Sequence, residues 1–120
     1  MTRQRPERLK GETAKYNMCG SLYITVNLDE KNKPFEVMAA CAKLATCRSN
    51  IEALARVISK MCQLGEVEEA IDACSMIRCP HMERQKGVNK ITKEQELDKI
   101  ASSCPDAIAR ELQRYVDKKK

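Results

Sequence analysis

Two stretches near the start of the chain alternate between apolar and polar residues, and both predict β-strands. Their apolar positions are Leu22, Ile24, Val26 and Leu28 in the first stretch and Phe35, Val37, Ala39 and Cys41 in the second. A period of two places such side chains on one face of a sheet. Residues 29–34 between the stretches are polar and rich in turn-forming residues, so the pattern predicts an antiparallel hairpin.

Helical spacing of apolar residues follows the hairpin. Ser49 with Glu52 three residues later is a capping-box pattern, which predicts that a helix begins there. Gly65 predicts the end of this helix, because glycine readily adopts the left-handed conformation that closes many helices. The apolar positions between them recur three and four residues apart and form one face: Ile51, Leu54, Ala55, Ile58, Met61 and Cys62.

A second helix is predicted after Gly65. It ends by Cys79, because Pro80 disfavours a helical conformation at the residue before it. Residues 81–93 are polar and predict an irregular loop, and Leu97 with Ile100 indicates a short helix beyond the loop. The positions that turn inward on the second helix are Val67, Ala70, Ile71 and Cys74.

The last helix begins around Ser103, Cys104 and Pro105, since proline is well tolerated in a first helical turn. Asp106 caps this helix or complements the positive end of its dipole. The apolar positions on its inner face are Ile108, Leu112, Tyr115 and Val116.

Together these elements predict an α+β fold, in which an antiparallel β-hairpin is followed by three or four helices around one small core. A chain of 120 residues lies in the size range of one domain. We expect a flexible basic arm at residues 1–15, with at most a short strand at its end, a single domain at residues 16–117 and a basic tail at residues 118–120.

The basic residues exceed the acidic ones by 22 to 17, a net charge of +5, and much of the excess lies at the two ends. Such terminal clusters are usually solvated and only sometimes contact nucleic acid.

Aromatic residues make up 3% of the chain, which argues against a stacking platform for single-stranded nucleic acid. No apolar run approaches the roughly 20 residues of a membrane span, and the polar start lacks the apolar region of a signal peptide. We therefore expect a cytosolic protein.

The seven cysteines fall into two groups. Cys41, Cys62 and Cys74 are in phase with apolar neighbours, so we expect them in the core, where cysteine behaves as a small hydrophobe. An odd cysteine count in a reducing compartment disfavours a disulfide framework. Structural zinc prefers four tetrahedral ligands, and thiolates meet that need where loops converge. The candidate zinc ligands are the cysteines at the ends of predicted elements: Cys19, Cys47, Cys79 and Cys104.

Other interpretations of these four cysteines stay open. No CxxC pair occurs, so they are also consistent with partly buried thiols beside helix ends. Cys47 or Cys104 at a helix N-terminus is alternatively the reactive thiol of a redox enzyme or sensor. His81, the one histidine, is an alternative metal ligand, although a lone histidine in a polar loop is more often solvated. The sequence has no glycine-rich phosphate loop and no second histidine for a histidine-rich catalytic metal site.

Several ordered segments resemble a known family. Residues 102–106 read Ser-Ser-Cys-Pro-Asp and resemble the signature that names the TSCPD domain, with serine in place of the leading threonine. Residues 19–27 and 34–37 resemble the first two strands of that family. Residues 50–58 and 77–80 match in the same order. The resemblance extends over nearly the whole predicted folded region.

This resemblance carries its own expectations. The family is best known as a C-terminal appendage of adenosylcobalamin-dependent ribonucleotide reductases, and it also occurs as a free-standing small protein. Its recurrent cysteines are thought to bind metal, and they match Cys19, Cys47, Cys79 and Cys104. Residues 42–46 lack the glycines that are typical of the family at this loop, which puts a close backbone approach to a ligand in doubt. The chain is too short to contain a reductase barrel, so it does not itself reduce ribonucleotides.

The sequence and the resemblance together favour a non-enzymatic, zinc-stabilised module. We expect it to bind a nucleotide, a nucleic acid or a ribonucleotide reductase-like protein. The candidate contacts to an anionic ligand are basic residues beside the cysteines: Lys43, Arg48 and Arg78. A free-standing regulator that sequesters a small nucleotide is the first alternative, and a thiol redox protein is the second. The sequence is also compatible with an oligomer.

Overall fold

A computed structural model of the chain describes residues 4–18, 20–41, 45–79, 101 and 103–116. The strands in chain order are β1 (Lys10–Asn17), β2 (Ser21–Leu28) and β3 (Pro34–Cys41). The helices that follow are α1 (Ala45–Gln63), α2 (Val67–Cys74) and α3 (Cys104–Gln113). The strands form one antiparallel sheet in the order β1-β2-β3. The predicted α+β class is confirmed, and the predicted short helix at Leu97 and Ile100 lies outside the described residues.

The predicted hairpin is the pair β2 and β3, and its alternation is confirmed. Leu22, Ile24 and Val26 are completely buried on the face that the helices cover. The turn between the strands is closed by the side chain of Asp29, whose Oδ1 accepts hydrogen bonds from the amides of Lys31 (2.8 Å) and Lys33 (3.0 Å). An aspartate that bonds to backbone two residues ahead favours a turn over a continued strand.

Strand β1 lies at the edge of the sheet and includes the end of the predicted basic arm. Residues 10–15 belong to β1, which pairs with β2 from Lys10 opposite Leu28 to Asn17 opposite Ser21. The first four residues of β1 are exposed. An edge strand with so little burial shows no alternation of apolar and polar residues, so its sequence resembles a solvated segment.

Helix α1 begins earlier than the capping-box pattern predicts. The helix starts at Ala45, so Ser49 is its fifth residue and not its N-cap. Serine is tolerated inside a helix, and a local pattern does not stop a helix from extending toward its N-terminus. The predicted end is confirmed, because Gly65 has φ of 83° and its amide bonds to the Cys62 carbonyl (3.0 Å). The Glu66 amide bonds to the Met61 carbonyl (2.8 Å), which completes a Schellman motif.

Helix α1 packs along β3 and covers its outer edge. The Val37 amide donates to Oγ of Ser59 (2.8 Å), and Nε2 of Gln63 donates to the Phe35 carbonyl (3.2 Å). These side chains satisfy backbone groups that an uncovered edge strand would expose to other chains. Since Ser59 precedes Gln63 while Phe35 precedes Val37, α1 runs antiparallel to β3.

The core lies between the sheet and the helices. Cys41, Cys62 and Cys74 are buried in it, which confirms their assignment as core residues. The predicted start of α3 is confirmed, and its N-cap is Ser103, whose Oγ accepts a hydrogen bond from the amide of Asp106 in the first turn (3.1 Å). No helix among the described residues is long and apolar enough to cross a membrane.

Candidate metal centre

The direction of α3 is set by two hydrogen bonds between tyrosine and glutamate. The hydroxyl of Tyr16 in β1 donates to Oε1 of Glu111 in α3 (3.0 Å), and the hydroxyl of Tyr115 donates to Oε1 of Glu12 (2.8 Å). The later residue of β1 therefore meets the earlier residue of α3, so the two elements run antiparallel. Cys104 lies seven residues before Glu111, or about 10 Å along the helix axis. The start of α3 therefore points to the end of the sheet where β1 turns into β2.

The start of α1 lies at that same end of the sheet. Leu22, near the start of β2, pairs with Cys41, the last residue of β3. Because α1 follows β3 and runs antiparallel to it, its first turn with Cys47 remains near Cys41. A charge effect of Cys47 on the pKa of the Cys41 thiol agrees with this proximity.

The segments that carry Cys79 and Cys104 are joined by a backbone-to-side-chain hydrogen bond. The Met76 amide donates to Oδ1 of Asp106 at 2.8 Å. Cys79 follows Met76 by three residues, and Cys104 precedes Asp106 by two. Both thiol side chains are half-buried and pack against the core.

The six described cysteines divide by burial as the sequence predicts. Cys47 is exposed, and Cys79 and Cys104 are half-buried, whereas the three core cysteines are buried. The other predicted ligand, Cys19, lies outside the described residues, as does the alternative ligand His81. The neighbours of Cys19 are Met18 and Gly20. They lie between Asn17 and Ser21, the last residue pair of β1 and β2, at the end of the sheet described above.

Two of the three predicted basic residues adjoin these cysteines. Arg48 is exposed in the first turn of α1, directly after Cys47, and Arg78 is exposed directly before Cys79. Lys43 lies outside the part of the chain that the structure describes. The first turn of α1 has no acidic residue, so it combines the partial positive charge of a helix N-terminus with a guanidinium group.

The donor set suits zinc in its chemistry, because thiolates are preferred ligands of structural zinc. Among the described residues, however, no three side chains of histidine, cysteine, aspartate or glutamate are grouped so that they could hold a metal ion. Cys47, Cys79 and Cys104 therefore lie at one end of the fold without forming a coordination sphere among themselves.

The core thiols are held in the protonated form. Burial raises the pKa of the Cys62 thiol to about 11, and it also raises the pKa of the Cys74 thiol. The pKa of Cys41 is raised chiefly by burial and further by the negative charge of Cys47, while Arg48 opposes the shift. Metal binding and nucleophilic attack both require thiolate, so these environments disfavour a role for the core thiols in either process.

A cleft that sequence reasoning missed lies at the opposite end of the sheet. It has a volume of about 660 Å³ and lies between the turn that follows β2, the turn that follows α1 and the end of α3. Neither Arg48 nor Arg78 lines it. The charged residues that line it have both signs: Asp29, Lys31, Lys33, Glu66, Glu68 and Glu69. No periodicity in the sequence indicates that these three segments meet.

Comparison with known proteins gives one match. The family model described as the TSCPD domain matches residues 1–116, nearly the whole chain. No curated protein and no solved structure matches. The matched region contains Cys19, Cys47, Cys79 and Cys104, and the resemblance inferred from the sequence is confirmed.

Proposed function

Because the chain belongs to the TSCPD domain family, we propose that it is a non-enzymatic module stabilised by one zinc ion. Its ligands are Cys19, Cys47, Cys79 and Cys104, and it works in the cytosol, where reducing conditions keep thiolates available. The surface around the metal binds a nucleotide, a nucleic acid or a ribonucleotide reductase-like protein.

The observation that supports a metal site is the convergence of four chain segments at one end of the sheet. The two tyrosine–glutamate hydrogen bonds direct α3 to that end, and the packing of α1 on β3 places Cys47 there. The bond between Met76 and Asp106 brings the Cys79 segment to the same helix start. Met18 and Gly20, which flank Cys19 in the sequence, lie beyond the pair of Asn17 with Ser21 at this end. Segments distant in sequence are the source of ligands in such sites, and binding free energy then stabilises the fold.

Positive charge at this end supports both parts of the proposal. A zinc ion with four thiolates carries a net charge of −2, and Arg48 and the N-terminus of α1 favour the thiolate form. The same groups and Arg78 attract an anionic ligand. With all four metal positions filled by protein, the zinc is structural and has no open position for a reacting water molecule.

Cobalt substitution tests the ligand set. Thiolate-bound Co²⁺ gives strong charge-transfer absorption, so titration of reduced protein with Co²⁺ reports sulfur coordination directly. We expect the absorption to be lost in Cys47→Ser, Cys79→Ser, Cys104→Ser and Cys19→Ser. The matched control is Cys74→Ala, a buried cysteine that we place outside the site. Full absorption in Cys104→Ser, or its loss in Cys74→Ala alone, would contradict this division.

A binding titration tests the anionic ligand. The protein is titrated with nucleoside triphosphates and with a short single-stranded DNA, and Arg48→Ala and Arg78→Ala are expected to weaken binding without a change in metal content. Arg56→Ala is the matched control, because Arg56 is exposed on α1 and paired with Glu52 (2.9 Å) on the helix itself. Deletion of residues 118–120 separates this site from the basic tail, whose contacts would weaken steeply with salt. Equal losses in Arg56→Ala and Arg48→Ala would refute a specific site.

Thiol reactivity separates the metal module from a redox protein. Zinc-bound thiolates in the metal-loaded protein react slowly with an alkylating reagent, whereas a redox thiol at Cys47 or Cys104 reacts rapidly. A regulator that sequesters a nucleotide would instead bind one small nucleotide tightly and release it unchanged.

A further inference from the structure

Asp106 is a buried carboxylate in the first turn of α3, with 2% of its surface exposed. Acidic residues are almost never buried at this level unless they are paired. Oδ1 of Asp106 accepts the amide hydrogen of Met76 (2.8 Å), and Oδ2 accepts a hydrogen bond from Nε of Arg110 (3.1 Å). Its own amide donates to Oγ of Ser103 (3.1 Å). The carboxylate is therefore held in one orientation on α3 and presents one oxygen to a different chain segment.

The chain segment that Asp106 binds is the turn after α2, which contains Met76. Met76 has φ of 66°, a left-handed conformation that is unfavourable for a non-glycine residue. Its side chain is 73% exposed, so side-chain packing does not hold this conformation. The hydrogen bond from its backbone amide to Asp106 is a tertiary contact that stabilises this turn. Because Cys79 lies three residues further along, this bond fixes where the chain goes after α2.

We propose that Asp106 is a positioning residue of the metal centre. By accepting the Met76 amide hydrogen, it holds the segment with Cys79 against the helix start with Cys104 before the metal binds. This inference rests on the proposed zinc site. A residue that orients the ligands of a metal without touching it typically changes metal affinity by about 10- to 100-fold when it is mutated. The physical reason is that the ordering of the Cys79 segment would otherwise oppose metal binding.

The test measures metal affinity in variants at Asp106. Competition with a chelator gives the affinity for Zn²⁺, and Co²⁺ absorption gives the coordination. Asp106→Ala is expected to bind about 10- to 100-fold more weakly than the original chain. Asp106→Asn keeps an oxygen that accepts the Met76 amide hydrogen, so it is expected to retain most of the affinity.

Glu111→Ala provides the control that is matched to Asp106→Ala. Glu111 is equally buried on the same helix, but its carboxylate bonds to Tyr16, on the side facing β1. Its substitution is expected to lower the free energy of unfolding without changing the intrinsic affinity of the folded protein for Zn²⁺. A purely structural role for Asp106 would make the two variants behave alike, and that result would overturn the inference.

A second variant covers the case in which Asp106→Ala does not fold. An ester in place of the peptide bond between Ser75 and Met76 removes the donor and leaves every side chain intact. It is expected to weaken Zn²⁺ binding to a similar extent. Unchanged affinity in the ester variant would refute the role of Asp106 while the zinc site stands. Failure of the unmodified chain to bind Zn²⁺ would refute the proposed function itself.

Discussion

The hydroxyl of Tyr16 donates a 3.0 Å hydrogen bond to Glu111 and so joins β1 to α3 across 95 residues of sequence. Glu111 is 2% exposed, and its other oxygen accepts from Arg114 (3.3 Å). Together with the bond from Tyr115 to Glu12, this contact sets α3 antiparallel to β1. The orientation has a functional consequence, because it places Cys104 at the end of the sheet where Cys47 also lies.

Removal of the Tyr16 hydroxyl should destabilise the fold. Tyr16→Phe leaves the buried Glu111 carboxylate without one of its donors, and a buried polar group left without a partner costs about 1 to 3 kcal/mol. We expect a loss in that range in the free energy of unfolding, measured by urea denaturation. Tyr23→Phe is the control, because Tyr23 is exposed on the outer face of the sheet. Equal effects of the two substitutions would show that the bond to Glu111 adds nothing.

The two bonded tyrosines also predict how stability depends on alkaline pH. Burial, and then the hydrogen bond to Glu12, raises the pKa of Tyr115 from 10.0 to about 12. Burial and the bond to Glu111 raise the pKa of Tyr16 still further. The folded state therefore retains protons that the unfolded state releases, so this stability is complete below pH 10.0 and is lost as the pH rises toward 12.

Urea denaturation at a series of pH values measures this effect. The double variant Tyr16→Phe with Tyr115→Phe should lose less stability between pH 10.0 and 12 than the original chain. The buried thiols act in the same direction, since the pKa of Cys62 rises from 9.0 to about 11. They are present in both proteins, so the difference between the two curves isolates the tyrosines. Parallel curves would contradict the prediction.

The turn between α1 and α2 depends on the conformational freedom of one glycine. Gly65 has φ of 83°, and a side chain there would meet no atom within 4 Å. Gly65→Ala should therefore cost only the left-handed backbone strain, about 1 kcal/mol in thermal or urea unfolding. Gly65→Asn should cost less, because asparagine tolerates this conformation better than alanine does. An alanine variant as stable as the original chain would show that the Schellman turn rearranges.

Substitution of a core cysteine should lower the free energy of unfolding but leave the metal content unchanged. Cys62 is 3% exposed and packs against the sheet, so Cys62→Ala removes one buried atom and should cost about 1 kcal/mol of unfolding free energy. Its metal content should not change. Elemental analysis of the purified variant, beside urea denaturation, checks both expectations. Loss of metal from a folded Cys62→Ala protein would place this residue in the site.

The sequence predicts the elements whose burial is one-sided. Alternation along β2 and β3 and the spacing in α1 identify residues such as Ile24 and Ile58, because each buries one regular face against the core. It indicates β1 only weakly, because this edge strand has first residues that face water. The buried states of Asp106 and Glu111 are missed, since each depends on a partner brought near only by the tertiary fold.

At the candidate site too, the sequence predicts which cysteines are buried but not which chain segments meet. Helical and strand phase separates the buried Cys41, Cys62 and Cys74 from the others, and burial in the structure agrees. The periodicity of the apolar residues does not predict the direction of α3 relative to the sheet. That direction depends on hydrogen bonds between residues far apart in sequence, such as Tyr115 and Glu12. The placement of Cys47 and Cys104 at one end of the sheet therefore emerges only with the fold.

Native mass spectrometry of the untagged protein, reconstituted with Zn²⁺ under reducing conditions, tests the central claim most directly. The measured mass reports the metal content of each chain and the number of chains in the assembly together. A four-thiolate site predicts a mass increase of about one zinc ion per chain, lost in Cys104→Ser and retained in Cys74→Ala. A folded protein that carries no zinc after reconstitution, or only a small fraction of one ion per chain, would contradict the account.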